Sequence, residues 1–431
     1  MRPGATSSSQ ATHDATSLHP GKRWGQLALG VVCMMSISSP QYVWALFTKP
    51  LAVALGATLA QLQVTFSVLI VLQTFLAPLQ GFLIEKFGPR RLLSVGALLS
   101  GTSWVLAARA NDVVALYLTY GLFGGIGTGI IYIGVIGLMV KWFPDRRGLA
   151  AGAAAAGYGM GAVFTTFPIS MGIAQSGYQH TLVVYGIVFG AVGLVAALGL
   201  QSPPPGYRLA SVSFHRQGVG ADTAPGTMLR SPIFWLLFVM MTMMSTSGLM
   251  VISQMGAFAR DFGVAEVAVF GLTALPLALT IDRITNGLTR PFFGWVSDRI
   301  GRENTMFIAF ALEGVAMTAW LLTRDNAVLF VLLSGLVFFG WGEIFSLFPS
   351  TLTDTFGARH ATTNYGLLYM AQGLGSILGG PLAALLYQRT GSWSSVFAVV
   401  IAMNFATAAL ALVVLKPARR RYLAQPIKAV A

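Results

Sequence analysis

The sequence predicts an all-α integral membrane protein, with twelve transmembrane helices in two six-helix halves and both termini in the cytoplasm. Three observations predict it. Of 431 residues, 55 % are hydrophobic and only 10 % charged, at a mean hydropathy of +0.71. A water-soluble domain carries about a quarter charged residues, so this surface needs lipid around it. Apolar runs of the ~20 residues that cross a hydrocarbon core recur along the chain. The few charges sit mostly in alternate loops.

The runs place spans near 24–47, 58–84, 92–109, 112–140, 148–173 and 181–201, then near 232–258, 265–296, 304–323, 327–352, 362–387 and 393–415. Between the sets, 202–230 opens with Pro203, Pro204 and Pro205 and reads as a cytoplasmic linker. Residues 1–22, rich in Ser, Thr, Gly and Ala with no apolar core, read as a disordered tail and not a signal peptide. The expected organisation is therefore tail 1–22, first bundle 23–201, linker 202–230, second bundle 231–415 and basic tail 416–431.

Orientation follows from the basic residues. Of 27 Lys and Arg, five (Lys49, Arg109, Arg260, Arg324 and Arg389) fall in loops opposite the N-terminus. Arg283 and Arg290 fall inside a span, and the other twenty share the side of the N-terminus. That bias puts both ends in the cytoplasm of a plasma or bacterial inner membrane protein. The net charge of +13 is thus a topology signal, not a nucleic-acid-binding face. The single cysteine, Cys33, lies in an apolar run and excludes an intramolecular disulfide or a cysteine metal site. His13, His19, His180, His215 and His360 lie in the tail or loops, and no nucleophile elbow or metal-ligand spacing is present. The expectation is no enzyme, no cofactor, no metal and a monomer.

The halves repeat. Gly81, Glu85, Lys86, Gly88, Arg90 and Arg91 follow the second span; Gly294, Asp298, Arg299, Gly301 and Arg302 follow the eighth, 213 residues later. The same offset carries Lys141 to Asp354. Parallel six-span repeats suit a carrier whose halves rock about a central site. Glycines allow a tight turn at the membrane face, and the acid can sit at a neighbouring helix N-terminus and steady one conformation. These paired loops resemble the signature of the major facilitator superfamily, with Glu85 where that pattern prefers aspartate. A narrower resemblance rests on Gln41-Tyr42-Val43-Trp44, on Lys141 through Asp145, Arg146 and Arg147 to Ala150, on Gly157-Tyr158-Gly159, on Arg290-Pro291-Phe292 and on Leu347-Phe348-Pro349-Ser350. Together these are similar to the oxalate/formate antiporter family, a relative of the monocarboxylate transporters, and the resemblance implies transport of small carboxylate anions.

Arg290 is the first candidate for the anion. It lies eight positions, ~12 Å of helix, before Asp298 at the membrane edge. A central arginine costs ~3 kcal/mol or more to insert, so it faces a wet cavity or a partner. Its planar fork matches a carboxylate, and it matches the family's substrate-binding arginine; a structural ion pair is the competing role. Arg283 lies within ~20° of Arg290 on the same helix, Asn286 ~40° away and Asp282 ~80° away. For Asp282 and Arg283, a partner on an adjacent helix and a place in the cavity lining are equally open. The resemblance implies a second central cation, a lysine on span eleven, where this chain has Gln372. One arginine leaves half of a dianion uncompensated in a low-dielectric site, so a monocarboxylate fits better, unless Arg283 replaces the missing cation. The resemblance also implies a pocket of Gln41, Tyr42, Trp44, Tyr132, Trp341 and Phe345, the last where the family has tyrosine. Packing is the alternative for each aromatic. Glu343, ~200° from Trp341, is expected to face away from the pocket, and Glu343 or Asp282 is a candidate proton carrier.

The expected function is a secondary carrier of small carboxylates, most readily a monocarboxylate, coupled to a proton or to a counter-anion. An oxalate/formate-type dicarboxylate exchanger and a non-transporting anion-sensing membrane receptor are the alternatives.

Overall fold

The computed structural model describes residues 20–204, 207 and 220–424. In the first half, α1 (Pro20–Ser36), α2 (Ser39–Tyr42) and α3 (Trp44–Leu55) form one broken rod, and α4 (Leu59–Phe75) with α5 (Ala77–Phe87) forms a second. α6 (Pro89–Ala107) follows. α7 (Val113–Leu116), a π-helical stretch Tyr117–Phe123 and α8 (Gly124–Trp142) form the next rod, and α9 (Arg147–Gly199) completes the half. Gly177 takes φ 81° and ψ 163° inside α9, so its 53 residues make two passes.

The second half opens with α10 (Pro225–Met228) and α11 (Pro232–Asp261), then a hairpin of β1 (Ala268–Val269) and β2 (Leu272–Thr273). α12 (Ala274–Ile300), α13 (Arg302–Leu322), and α14 (Ala327–Trp341) continued by α15 (Ile344–Phe356) follow. α16 (Ala361–Ile377) continues through a π-helical Leu378–Leu382 into α17 (Ala383–Thr390). The last rod is α18 (Trp393–Leu410), a π-helical Ala411–Leu415 and α19 (Lys416–Ala424).

Among the described residues, seven helices are long and apolar enough to cross a membrane, or nine with two bent pairs joined. The passes within α9, and the more polar α6 and α12, bring the helical rods to twelve. The bends have local causes. α1–α2 and α3 meet at 45° across Val43, whose φ −105° and ψ 2° leave the helical region, and α4 and α5 meet at 52°, where Pro78 opens α5.

Three boundaries differ from those expected. α1 begins at Pro20, inside the expected tail, whose residues 1–19 lie outside the described ones. Residues 265–273 are not helix, because Phe270 (φ 51°) and Gly271 (φ 80°) both take left-handed backbone and turn β1 into β2. The expected basic tail is helical to Ala424, since Arg419 is buried against Glu303 at 2.5 Å; residues 425–431 lie outside the described ones. Of the linker, 205–206 and 208–219 also lie outside them.

Two seams join the halves, α9 against α12 and α5 against α16. Both depend on glycine. A Cβ on Gly148 would meet the Gly294 carbonyl, and one on Gly152 would meet that of Arg290. On the other seam, a Cβ on Gly81 would lie 2.7 Å from the Thr362 carbonyl, and Gly366 packs equally close on Ala77. Backbones can approach this far only without side chains between them. Gly152→Leu is expected to push α9 off α12 at a penalty of about 1–3 kcal/mol. Cysteine labelling on the face of the basic loops should then rise, and unchanged labelling would count against the seam.

Candidate functional site

A cavity of about 580 Å³ lies between the halves. It runs from Arg290 to Gln63 and Gln254, toward the ends of α4 and α11 that lie away from the basic loops, and to Ala384 at the start of α17. The bend between α4 and α5 and the break between α14 and α15 supply its middle layer: Gln73 and Thr74 precede the first, Trp341 and Phe345 flank the second.

Arg290 is 1 % exposed and lines this cavity. Its Nη1 donates to the Ala155 carbonyl of α9 at 2.6 Å, and its Nη2 to Asn286 Oδ1, one turn back on α12, at 2.6 Å. The guanidinium lies over Phe345, 4.5 Å from the ring centroid, within cation–π range. Nε has no partner, and Arg290 takes part in no salt bridge among the described residues. All its protein acceptors are neutral, so the positive charge is uncompensated at the wall of the cavity. A carboxylate entering there gains a charge-assisted hydrogen bond.

Around Arg290 stands a cluster of hydroxyls and amides. Tyr132 stacks on Tyr369 at 4.8 Å between centroids and meets Tyr158 edge-on at 5.2 Å. Gln73 Nε2 donates to Tyr369 OH at 3.3 Å and Tyr158 OH at 3.5 Å, while Tyr158 OH donates to Gln41. The Tyr132 hydroxyl and the Gln372 and Gln73 carbonyl oxygens are buried without partners. Buried polar groups are ordinarily satisfied, and these three atoms are placed to hydrogen-bond a polar substrate.

The face of the basic loops is closed. Asp354 receives Arg147 at 2.6 Å and Arg302 at 2.8 Å, and Arg302 also reaches Asp298 at 2.6 Å. Asp298 accepts from the backbone N–H of Gly148 and Leu149, at 3.0 and 2.9 Å, opening α9. Glu85 accepts from Thr362 and Thr363 N–H at 2.9 and 3.3 Å, opening α16, and Lys141 stands 3.4 Å from it. Each acid therefore caps a helix of the other half, where the N-terminal dipole favours negative charge. Gly88 (φ 88°, ψ 149°) and Gly301 (φ 94°, ψ 155°) adopt matching backbone open almost solely to glycine, turning each helix into the next.

A family model described as Major Facilitator Superfamily matches residues 27–281 and 240–429. The chain belongs to the major facilitator superfamily. The oxalate:formate antiporter of Oxalobacter formigenes is 33 % identical over 393 residues, 91 % of each chain. Monocarboxylate transporter 13 of Bos taurus is 27 % identical over 77 % of this chain and 75 % of its own. Among solved structures, the transporter FucP in its outward conformation superposes with a TM-score of 0.68 at 14 % identity, covering 90 % of this chain and 99 % of that one. The proton:xylose symporter XylE gives 0.68 at 12 % identity over 92 % and 96 %. The last two speak for the fold alone. This is a multi-pass membrane transporter and not an enzyme.

Of the residues expected at the transporter's site, Gln41, Tyr42, Tyr132, Arg290, Trp341, Phe345 and Gln372 line the cavity. Asn286 does not; it holds Arg290. Arg283 is exposed and outside the lining, against the expectation drawn from its helical angle. A Cβ on Gly287 would meet Met160 of α9, while Phe164 and Phe167 further along α9 are exposed. Arg290 and Asn286 are buried on that face and Arg283 is not, so a shared helix face is not a shared environment. Asp282 and Glu343 are 4 % and 0 % exposed, lie outside the lining of this cavity, and have no hydrogen-bond partner on either oxygen among the described residues. Glu343 stands at the break between α14 and α15 and not in the middle of a helix. Trp44 packs on Tyr120 at 4.7 Å, which makes it a packing residue.

In the loop motifs, Asp145 pairs with Arg23 at 2.7 Å and less closely with Arg146, while Arg90, Arg91 and Arg299 are exposed. Sequence reading missed Gln73, Tyr158 and Tyr369 as lining residues. Gln73 lies in an apolar run, five residues before Pro78, and a polar residue within a turn or two of a membrane-depth proline is a usable signal of an opened helix.

Proposed function

We propose that this transporter moves small carboxylate anions by alternating access, taking one carboxylate at Arg290 and preferring monocarboxylates. The observation that carries this reading is the buried, uncompensated guanidinium at the cavity wall, between Phe345 and the Tyr132–Tyr158–Tyr369 cluster. Arg147–Asp354 and the two helix caps hold the basic-loop face shut while the cavity reaches toward the other face, an outward-facing state if the basic loops are cytoplasmic. Rocking the halves would break these contacts and release the anion inside.

Exchange is the favoured coupling. The named activity of the 33 % identical relative is antiport, and the charge on Arg290 is left for an anion to balance in either direction of travel. Proton symport is the second reading. Asp282 and Glu343, each buried without a partner, are its candidates.

A counterflow screen of mono- and dicarboxylates in proteoliposomes, with and without a pH gradient, tests the function. No saturable carboxylate flux would sink it. Gln372→Lys tests the charge argument: a second cation in the lining should raise uptake of a dianion such as oxalate relative to lactate by roughly tenfold, the worth of ~1.4 kcal/mol. An unchanged ratio would show that the charge at this position does not select the substrate.

A further inference from the structure

The repeat relates more than the gate. On α12, Leu288, Phe292, Trp295 and Arg299 are exposed at successive helical turns. Displaced by 213 residues, Leu79, Phe82 and Lys86 form the same exposed stripe on α5. Each stripe is apolar along its length and ends, at the basic-loop face, in a cation held against an aromatic ring. Arg299 Cζ lies 3.9 Å from the Trp295 ring centroid, and Lys86 Nζ lies 5.8 Å from Phe82 and 5.4 Å from Phe87. All three distances are in cation–π range. Among the described residues, neither cation donates a hydrogen bond or joins a salt bridge, although carboxylates lie next to both in sequence: Glu85 and Asp298 are occupied across the halves.

We propose that these two stripes are paired binding sites for anionic phospholipid, with the acyl chain along the apolar ladder and the phosphate on Lys86 or Arg299. The exposed ladder, with Leu288 at 52 % and Leu79 at 55 %, lies on a membrane-embedded helix and is covered by an acyl chain at no further conformational demand on the protein. The ring fixes the long basic side chain at the level of the headgroups, where aromatic residues settle. Its N–H donors have no protein acceptor, and a phosphate oxygen supplies one in a charge-assisted bond. Attraction of an anionic headgroup by a basic residue near the surface is worth about fivefold in binding. Two copies at the same register of the repeat give each half one lipid in the same place.

The test is lipid retention by the purified full-length transporter in detergent, counted by native mass spectrometry after titration with phosphatidylglycerol, with phosphatidylcholine of the same chains as comparison. Wild type should retain phosphatidylglycerol in preference. Lys86→Gln/Arg299→Gln should bind it about fivefold more weakly at each site, while Lys22→Gln/Arg230→Gln, which removes two exposed charges from the same face, should bind as wild type does. Phe82→Leu/Trp295→Leu keeps both charges and should show an intermediate loss, and it carries the test if the first pair fails to fold. Equal retention of the two lipids by wild type, or equal loss in both charge-removing pairs, would overturn the proposal.

Discussion

Arg290→Gln is expected to abolish saturable carboxylate exchange in proteoliposomes while leaving a folded, monodisperse protein. Truncating one member of a buried charge pair removes about 3 kcal/mol or more, roughly a hundredfold in affinity. The fold should survive because the guanidinium makes only neutral contacts. Its two bonds go to the Ala155 carbonyl and to Asn286, and a glutamine amide can replace the first. No acid is orphaned by the change. Arg290→Lys separates charge from shape: it keeps the cation but loses the planar fork, and should leave weakened, still saturable exchange. Wild-type uptake in the glutamine variant would remove Arg290 from the centre of the mechanism and return it to the role of a structural tie between α12 and α9.

Asp354→Asn should have the largest effect on the conformational equilibrium. Asp354 is 3 % exposed and holds Arg147 of one half and Arg302 of the other at 2.6 and 2.8 Å. Neutralising it leaves a buried cation without compensation, a penalty of about 3–5 kcal/mol. That penalty falls on the state closed at the basic-loop face, since opening lets water reach the guanidinium. Labelling of cysteines placed on that face should therefore increase and the exchange rate fall. Arg147→Gln should act in the same direction but less, because Arg302 retains Asp354 and Asp298. The reverse ranking, or no change in labelling, would show that the glycine seams alone keep the face shut.

Lys141 and Asp354 occupy one register of the repeat, yet one stands beside the Glu85 cap and the other is the centre of a four-residue ion network. The repeat thus sets where the two gates sit, while the charges at each position decide how strongly each closes. The Glu85 cap relies on backbone N–H donors and a more exposed lysine, a weaker hold in a wetter setting.

The membrane class and the existence of the helices were legible in the chain by itself, because hydrocarbon thickness dictates run length and lipid demands internal backbone pairing. So were the paired loops around Glu85 and Asp298 and the central arginine, since a charge at membrane depth needs a reason to be there. The helical angle assigned to Glu343 assumed one continuous helix, whereas Gly342 and Glu343 form the break between α14 and α15. Helical angles did not place Arg283, which is exposed and outside the lining, because exposure depends on packing against a neighbouring element that no single-helix periodicity contains. Tertiary structure alone decided that Gln73, Tyr158 and Tyr369, from α4, α9 and α16, meet at one hydrogen-bonded point, and that Asp354 gathers arginines from 207 and 52 residues away. Local sequence fixes which face of a helix is polar; which neighbour that face meets is set by packing between segments far apart in the chain, and the site exists only at those meetings.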